Sequence, residues 1–215
     1  MPLCTFLSGG LDSSIISRIA SDGAKSHGRR LCTYSVDYTD NDKFFKESLF
    51  QPNKDSDYIS LISNYIGSKH KNIVLDNKAV AHALEESTEA RSLPGFTDVD
   101  SSLLLFCREV QREQTVALSG ECADEIFGGY PWYHNKDILF EETFPWSRSI
   151  DVRQSILKPG LLKNGGEFVH EKYLETVKSA SYLESDSKTE RRMREMFMLN
   201  MDWFMQTPVS YTHLR

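Results

Sequence analysis

The opening residues constrain this chain more than any other feature. Leu3 to Leu7 is a short apolar run that breaks at Ser8-Gly9-Gly10. Leu11, Ile15, Ile16 and Ile19 then recur at three- and four-residue steps, the stripe of an amphipathic helix. A strand that turns straight into a helix needs a partner strand reached by a crossover, and the unit repeats. Leu31 to Val36, closed by Asp37, precedes helical spacing over Ser56 to Ile66. Asn72 to Leu75 precedes helical segments at 78–91 and about 100–112, and Thr115 to Leu118 reads as a fourth strand. Short apolar strands alternating with helices predict an α/β fold, a doubly wound parallel sheet sandwiched by helices. In such sheets ligands sit beyond the carboxyl ends of the strands, so the residues just after each strand are the first candidates for a site.

Residues 36–55 read as a long polar loop, of the kind that often carries function. After Tyr130 the strand signals stop. Pro131, Pro145, Pro159 and Gly165-Gly166 punctuate separate helices, and a long helix is expected near 187–206, with Ser185, Asp186 and Ser187 as candidate caps. The expected organisation is a core over residues 1–135, a partial all-helical extension over 136–207, and a distinct tail over 208–215.

Thirty-one acidic against twenty-five basic residues give a net charge of −6. That balance argues against a nucleic-acid partner, which needs clustered positive charge. The most basic cluster, Arg191, Arg192 and Arg194, reads as the solvated face of a helix. Apolar runs are too short to span a bilayer, and the N-terminus lacks the basic-then-apolar order of a secretory signal. Four cysteines without a CxxC pair give no zinc motif and point to the cytoplasm.

Two strings carry the chemistry. In Ser8-Gly9-Gly10-Leu11-Asp12-Ser13-Ser14, two glycines let backbone N–H groups converge, and the helix N-terminus and three hydroxyls complete an anion cradle. The lysine of a Walker-type loop is missing. Asp12 inside such a cradle calls for Mg²⁺ between carboxylate and phosphate. The second string, Ser119-Gly120-Glu121-Cys122-Ala123-Asp124-Glu125 continuing to Tyr130, also follows a strand. Its acids are spaced so that a helix would set Glu121, Asp124 and Glu125 on one face, a repulsion that a metal or cationic substrate would relieve.

The SGGLDSS string resembles the PP-loop of N-type ATP pyrophosphatases, the adenine-nucleotide α-hydrolase-like fold. SGECADEIFGGYPWY is similar, more specifically, to the synthetase domain of glutamine-hydrolysing asparagine synthetases, as are TYSVDYTDND, LPGFTDVDSSLLLFC and FPWSRS. The resemblance implies an ATP-dependent carbon–nitrogen ligase: aspartate is activated by ATP to β-aspartyl-AMP plus pyrophosphate, then amidated by ammonia to asparagine. It implies that Ser8, Gly9, Gly10, Asp12, Ser13 and Ser14 hold pyrophosphate. Asp12 and Asp124 would be magnesium ligands. Ser119, Gly120, Val36 and Phe6 would contact the nucleotide, and Glu121 would be the catalytic base toward incoming ammonium. Phe6 stands where the family has an aliphatic residue, and Cys122 where glycine is frequent.

The family's glutaminase domain is expected N-terminal to this segment in the full protein and absent from the chain. The family's basic residues after Gln206 are not found in the tail, so ATP·Mg²⁺ binding with weak or absent ligase turnover is the expectation for the chain by itself. A homodimer stays open. So do two other readings: adenylation of a different carboxylate, as in β-lactam synthetases, and an ATP-binding module without catalysis. Cys4, inside the first strand, is not expected to be a nucleophile. His134 is expected to be structural, His70 to lie at the surface, and Trp132, Tyr133 and Trp146 to pack at a domain interface.

Overall fold

The computed structural model describes residues 1–46, 53–92, 95, 97–146, 148, 150–158, 160–161 and 164–206. The described residues divide into two compact units, one over residues 1–121 and one over residues 122–206.

In the first unit four strands, β1 (Leu3–Phe6), β2 (Cys32–Tyr38), β3 (Lys69–Leu75) and β4 (Val116–Leu118), form a parallel sheet in the order β3-β2-β1-β4. Helix α1 (Leu11–Ser26) links β1 to β2. Between β2 and β3 lie α2 (Asn41–Phe44), within the expected polar loop, and α3 (Asp55–Ile66); residues 47–52 of that loop lie outside the described residues. Helices α4 (Asn77–His82), α5 (Leu84–Arg91) and α6 (Thr97–Gln111) lead back to β4. The chain therefore winds outward through β2 and β3, then returns across β1. The reversal puts a topological switch point between β1 and β4, where α/β sheets bind ligands.

The two faces of the sheet are built differently. Cys4, Tyr34, Ile73 and Leu75 cluster with Val80, Phe106 and Val110 of the α4–α6 layer. Burying each large side chain there stabilises the unit by roughly 1.5–3 kcal/mol. The opposite face carries Thr5, Thr33, Ser35, His70 and Asn72. Thr5 Oγ1 and Ser17 Oγ of α1 are 2.7 Å apart, both buried. Thr33 Oγ1 meets Ser68 Oγ at 2.9 Å and His70 Nδ1 at 3.0 Å, and Ser35 Oγ donates to Asn72 Oδ1 at 2.9 Å. Ser21 Oγ donates to the Ile66 carbonyl at 3.0 Å, tying α1 to the end of α3. This layer is held by paired hydroxyls, which removes the cost of burying them.

That layer corrects the expected stripe. Helix α1 buries Ser13, Ser17 and Ser21, while Leu11, Ile15 and Ile19 remain 74%, 49% and 67% exposed. Serines turn inward because the sheet offers hydroxyl partners on that face. His70 is likewise not a surface residue. It is half-buried, bonded to Thr33 and Ser35, and burial lowers its pKa.

The second unit is helical, as expected, with α7 (Ala123–Phe127), α8 (Pro131–His134), α9 (Lys136–Leu139), α10 (Ile150–Ser155), α11 (Gly165–Val177) and α12 (Lys188–Gln206). Trp132, Tyr133, Leu139, Tyr173, Met196 and Leu199 form its core, with Tyr130, Phe144 and Trp146 packed against it. The aromatic cluster is thus this unit's own core. Ser187 caps α12 in a reciprocal box: Glu190 N donates to Ser187 Oγ at 3.3 Å and Ser187 N donates to Glu190 Oε2 at 2.7 Å. Arg192 departs from the expected solvated face. Only 6% exposed, it donates to the carbonyls of Leu139 and Glu141 and to Tyr173 Oη, so its fork ties three segments together. The expected tail at 208–215 lies outside the described residues.

Candidate functional site

Ser8 follows β1 and the cradle is built from its neighbours. Gly9 takes φ +84°, and a Cβ there would lie 3.0 Å from the Asp55 carbonyl oxygen and from Tyr58 Cβ. Only glycine allows the turn to sit this close to the start of α3. Gly10 then caps α1 without a side chain, so the first-turn N–H groups receive no acceptor from a capping side chain. Ser8 N donates to Ser13 Oγ at 3.2 Å, Ser13 Oγ donates to the Gly10 carbonyl at 3.1 Å, and Ser14 Oγ donates to the same carbonyl at 2.6 Å. Ser8 Oγ lies 3.0 Å from Ser13 Oγ. These bonds hold the loop folded back on itself, with the helix N-terminus presenting donors and its partial positive charge.

The second string meets the first. Strand β4 pairs directly with β1, Leu118 opposite Thr5, so Ser119 and Gly120 leave the sheet beside Ser8. A Cβ on Gly120 would lie 2.8 Å from Ser13 N and 3.1 Å from Asp12 Cβ. Backbone thus presses on backbone at the first turn of α1, and the two motifs, far apart in sequence, form one rim. Glu121 N donates to Ser119 Oγ at 3.4 Å, and the Glu121 side chain is exposed.

The adjoining face is apolar. Phe6 and Phe106 meet edge to face at 4.8 Å, and Val36, within β2 and two residues before its last, is partly exposed. With Leu7, Ser8 and Tyr34 they line a cavity of ≈ 320 Å³. Phe6 and Val36 therefore share one hollow with Ser8.

In the second unit, Cys122 has φ +71° and caps α7. A left-handed residue there explains why glycine suits the position. It also corrects the three-carboxylate face, because the helix begins at Ala123 and leaves Glu121 outside it. Glu125 is buried and accepts a bond from Tyr130 Oη at 2.6 Å, a structural use. A Cβ on Gly129 would lie 2.0 Å from Asp124 Oδ1, so that glycine makes room for the Asp124 carboxylate. His134 Nε2 lies 3.1 Å from the Gly128 carbonyl oxygen and holds the same turn.

Among the described residues no group of three or more His, Cys, Asp or Glu side chains could hold a metal unaided. Mg²⁺ bound through phosphates needs only one or two carboxylates, and within the first unit Asp12 beside the anion cradle is a donor of that kind. Burial pushes the Cys4 thiol up to about 12, which removes it as a nucleophile. No helix among the described residues is long and apolar enough to cross a membrane.

Comparison with known proteins settles the family. The asparagine synthase sequence model matches residues 1–211. The chain belongs to the asparagine synthase family. It is 47% identical over 208 residues to asparagine synthetase [glutamine-hydrolyzing] 3 of Bacillus subtilis, covering 95% of this chain and 34% of the relative. It is 29% identical over 184 residues to a putative asparagine synthetase [glutamine-hydrolyzing] of Mycobacterium bovis, 82% of this chain and 26% of that protein. With asparagine synthetase [glutamine-hydrolyzing] 2 of Arabidopsis thaliana the identity is 28% over 155 residues, 66% and 25%. The chain thus spans about a third or less of the curated relatives it matches. The parallel sheet with helices on its faces is the α/β fold that the PP-loop resemblance implied.

Proposed function

We propose that the chain is the ATP-using part of an asparagine synthetase. The observation that carries this reading is Gly120 pressed against Ser13 N, which makes one rim of the glycine-serine loop and the second motif. Serine hydroxyls and first-turn N–H groups from Ser8 to Ser14 hold the β- and γ-phosphates of ATP. Phe6 and Val36 place the adenine, and Ser119 and Gly120 lie along the nucleotide. The carboxylate of aspartate attacks the α-phosphorus, the bond to the β-phosphate breaks, and pyrophosphate leaves with both distal phosphates. Ammonia then attacks the acyl carbon of β-aspartyl-AMP, AMP departs, and Glu121 takes the proton from the incoming nitrogen.

Asp12 and Asp124 would hold Mg²⁺, which neutralises phosphate charge when bound. The ammonia comes from a glutamine-hydrolysing domain of the full-length protein. Four free cysteines fit the cytoplasm as compartment.

The test is isotope exchange between pyrophosphate and ATP. Exchange that requires aspartate supports the reading. Exchange driven by an N-carboxyalkyl amino acid and not by aspartate assigns a different carboxylate. ATP binding without any exchange makes the chain a non-catalytic module.

A further inference from the structure

The sheet leaves one apolar face of α1 uncovered, away from the nucleotide hollow. Leu3 and Leu118 of the sheet and Ile16, Ile19, Ala20 and Gly23 of α1 line an open hollow of ≈ 840 Å³. Ile19, Leu3 and Leu118 stay 67%, 38% and 40% exposed. None of these residues borders the cavity beside Ser8. Apolar patches of this kind mark surfaces that a partner covers.

The order of residues along that face says which partner. Ile16, Ile19, Ala20 and Gly23 recur at three- and four-residue steps, so they share one side of the helix. The bulky pair comes first and the small pair second. Nothing lies within 4 Å of a Cβ built on Gly23, so the small end of the face is open space. Lay the helix antiparallel on its own copy, about a two-fold axis between Ile19 and Ala20. Ile16 then faces Gly23, Ile19 faces Ala20, and each bulky side chain meets a gap. In a parallel pairing, bulk would meet bulk and gap would meet gap. Charge agrees with the reversal. Asp12 lies in the first turn of α1 and Lys25 in its last, and Arg29 lines the hollow beyond that end. Reversal brings the acidic end of one helix beside the basic end of the other and opposes the two helix dipoles.

We propose that this face is a homodimer interface, on which a second copy of the chain lays its α1 antiparallel to the first. The contact is isologous, so the Ile16–Gly23 and Ile19–Ala20 pairs each occur twice. Leu3 and Leu118 of each copy are covered by the same contact.

The test is sedimentation velocity of the chain over a concentration series. The dimer is expected to dominate at about 100 µM and the monomer at about 1 µM. Ile19→Glu sets two carboxylates across the axis and should weaken the dimer at least about hundredfold. Its monomer should melt as the wild type does, because Ile19 is largely exposed. Gly23→Leu closes the gap that receives Ile16 and should also disrupt the dimer, while raising the melting temperature of the monomer, since leucine is the better helix former. A folding defect would not pair those two results. Ala20→Cys should oxidise to a covalent dimer, whereas Leu61→Cys, exposed on α3, should not. A dimer that both α1 substitutions leave intact, or equal cross-linking at the two cysteines, overturns the proposal. A chain that stays monomeric at about 100 µM overturns it too, and assigns the hollow to another part of the full-length protein.

Discussion

Gly120→Ala should damage the site through backbone contact alone. The new methyl would stand 2.8 Å from Ser13 N, 3.1 Å from Asp12 Cβ and 3.2 Å from the Asp12 carbonyl carbon. None of these atoms is the far end of a flexible side chain. Ordinary contact requires a separation about 0.7 Å wider, so the end of β4 and the first turn of α1 must part. Overpacking of this kind costs about 1–3 kcal/mol. Displacements approaching 1 Å in a positioned site cost up to about 10²-fold in function. Urea unfolding is expected to show that loss of stability, and calorimetry a fall in Mg·ATP affinity of at least about tenfold. Gly23→Ala is the control on the same helix, since nothing lies within 4 Å of its Cβ. It should stabilise the unit by about 0.5–1 kcal/mol and leave ATP binding alone. Gly120→Ala with wild-type stability and ATP affinity within twofold would refute the joining of the two motifs.

Three further outcomes follow from the packing. Thr5→Val leaves Ser17 without its partner and should cost about 1–3 kcal/mol, while Thr5→Val combined with Ser17→Ala should cost less than the two single changes summed; strictly additive unfolding energies would contradict a paired layer. Arg192→Met orphans the carbonyls of Leu139 and Glu141 and should destabilise the helical unit by about 3 kcal/mol in urea unfolding; a loss under about 0.5 kcal/mol would mean a solvated side chain. Burial holds His70 below its ordinary 6.5, so the unfolded chain takes up the proton first as pH falls. Stability is then full above about pH 6.5 and declines below it, and His70→Asn should flatten that limb in melts taken across pH.

Much of this was legible in the residues. Each apolar run became a strand because it is short, bounded by turn formers and followed by helical spacing. The glycines of both motifs carried real information, since Gly9 and Gly120 stand where a Cβ has no room. Periodicity failed on α1 for a physical reason: it reports which residues share a face, not which face the sheet will accept. Here Thr5 on the strand selects Ser17, and Ile15 and Ile19 are left outside. Arg192 looked like its neighbours until the carbonyls of Leu139 and Glu141 appeared beside it. The acid spacing from Glu121 to Glu125 assumed a continuous helix, which the left-handed Cys122 prevents.

The central claim is that the loop from Ser8 to Ser14 and the turn from Ser119 to Gly120 form one site that grips the leaving pyrophosphate of ATP. Titrating Mg·ATP into the chain with and without saturating pyrophosphate tests it most directly. Competitive binding, with both ligands weakened by Gly120→Ala, is the predicted result. Pyrophosphate that leaves ATP affinity unchanged would contradict it.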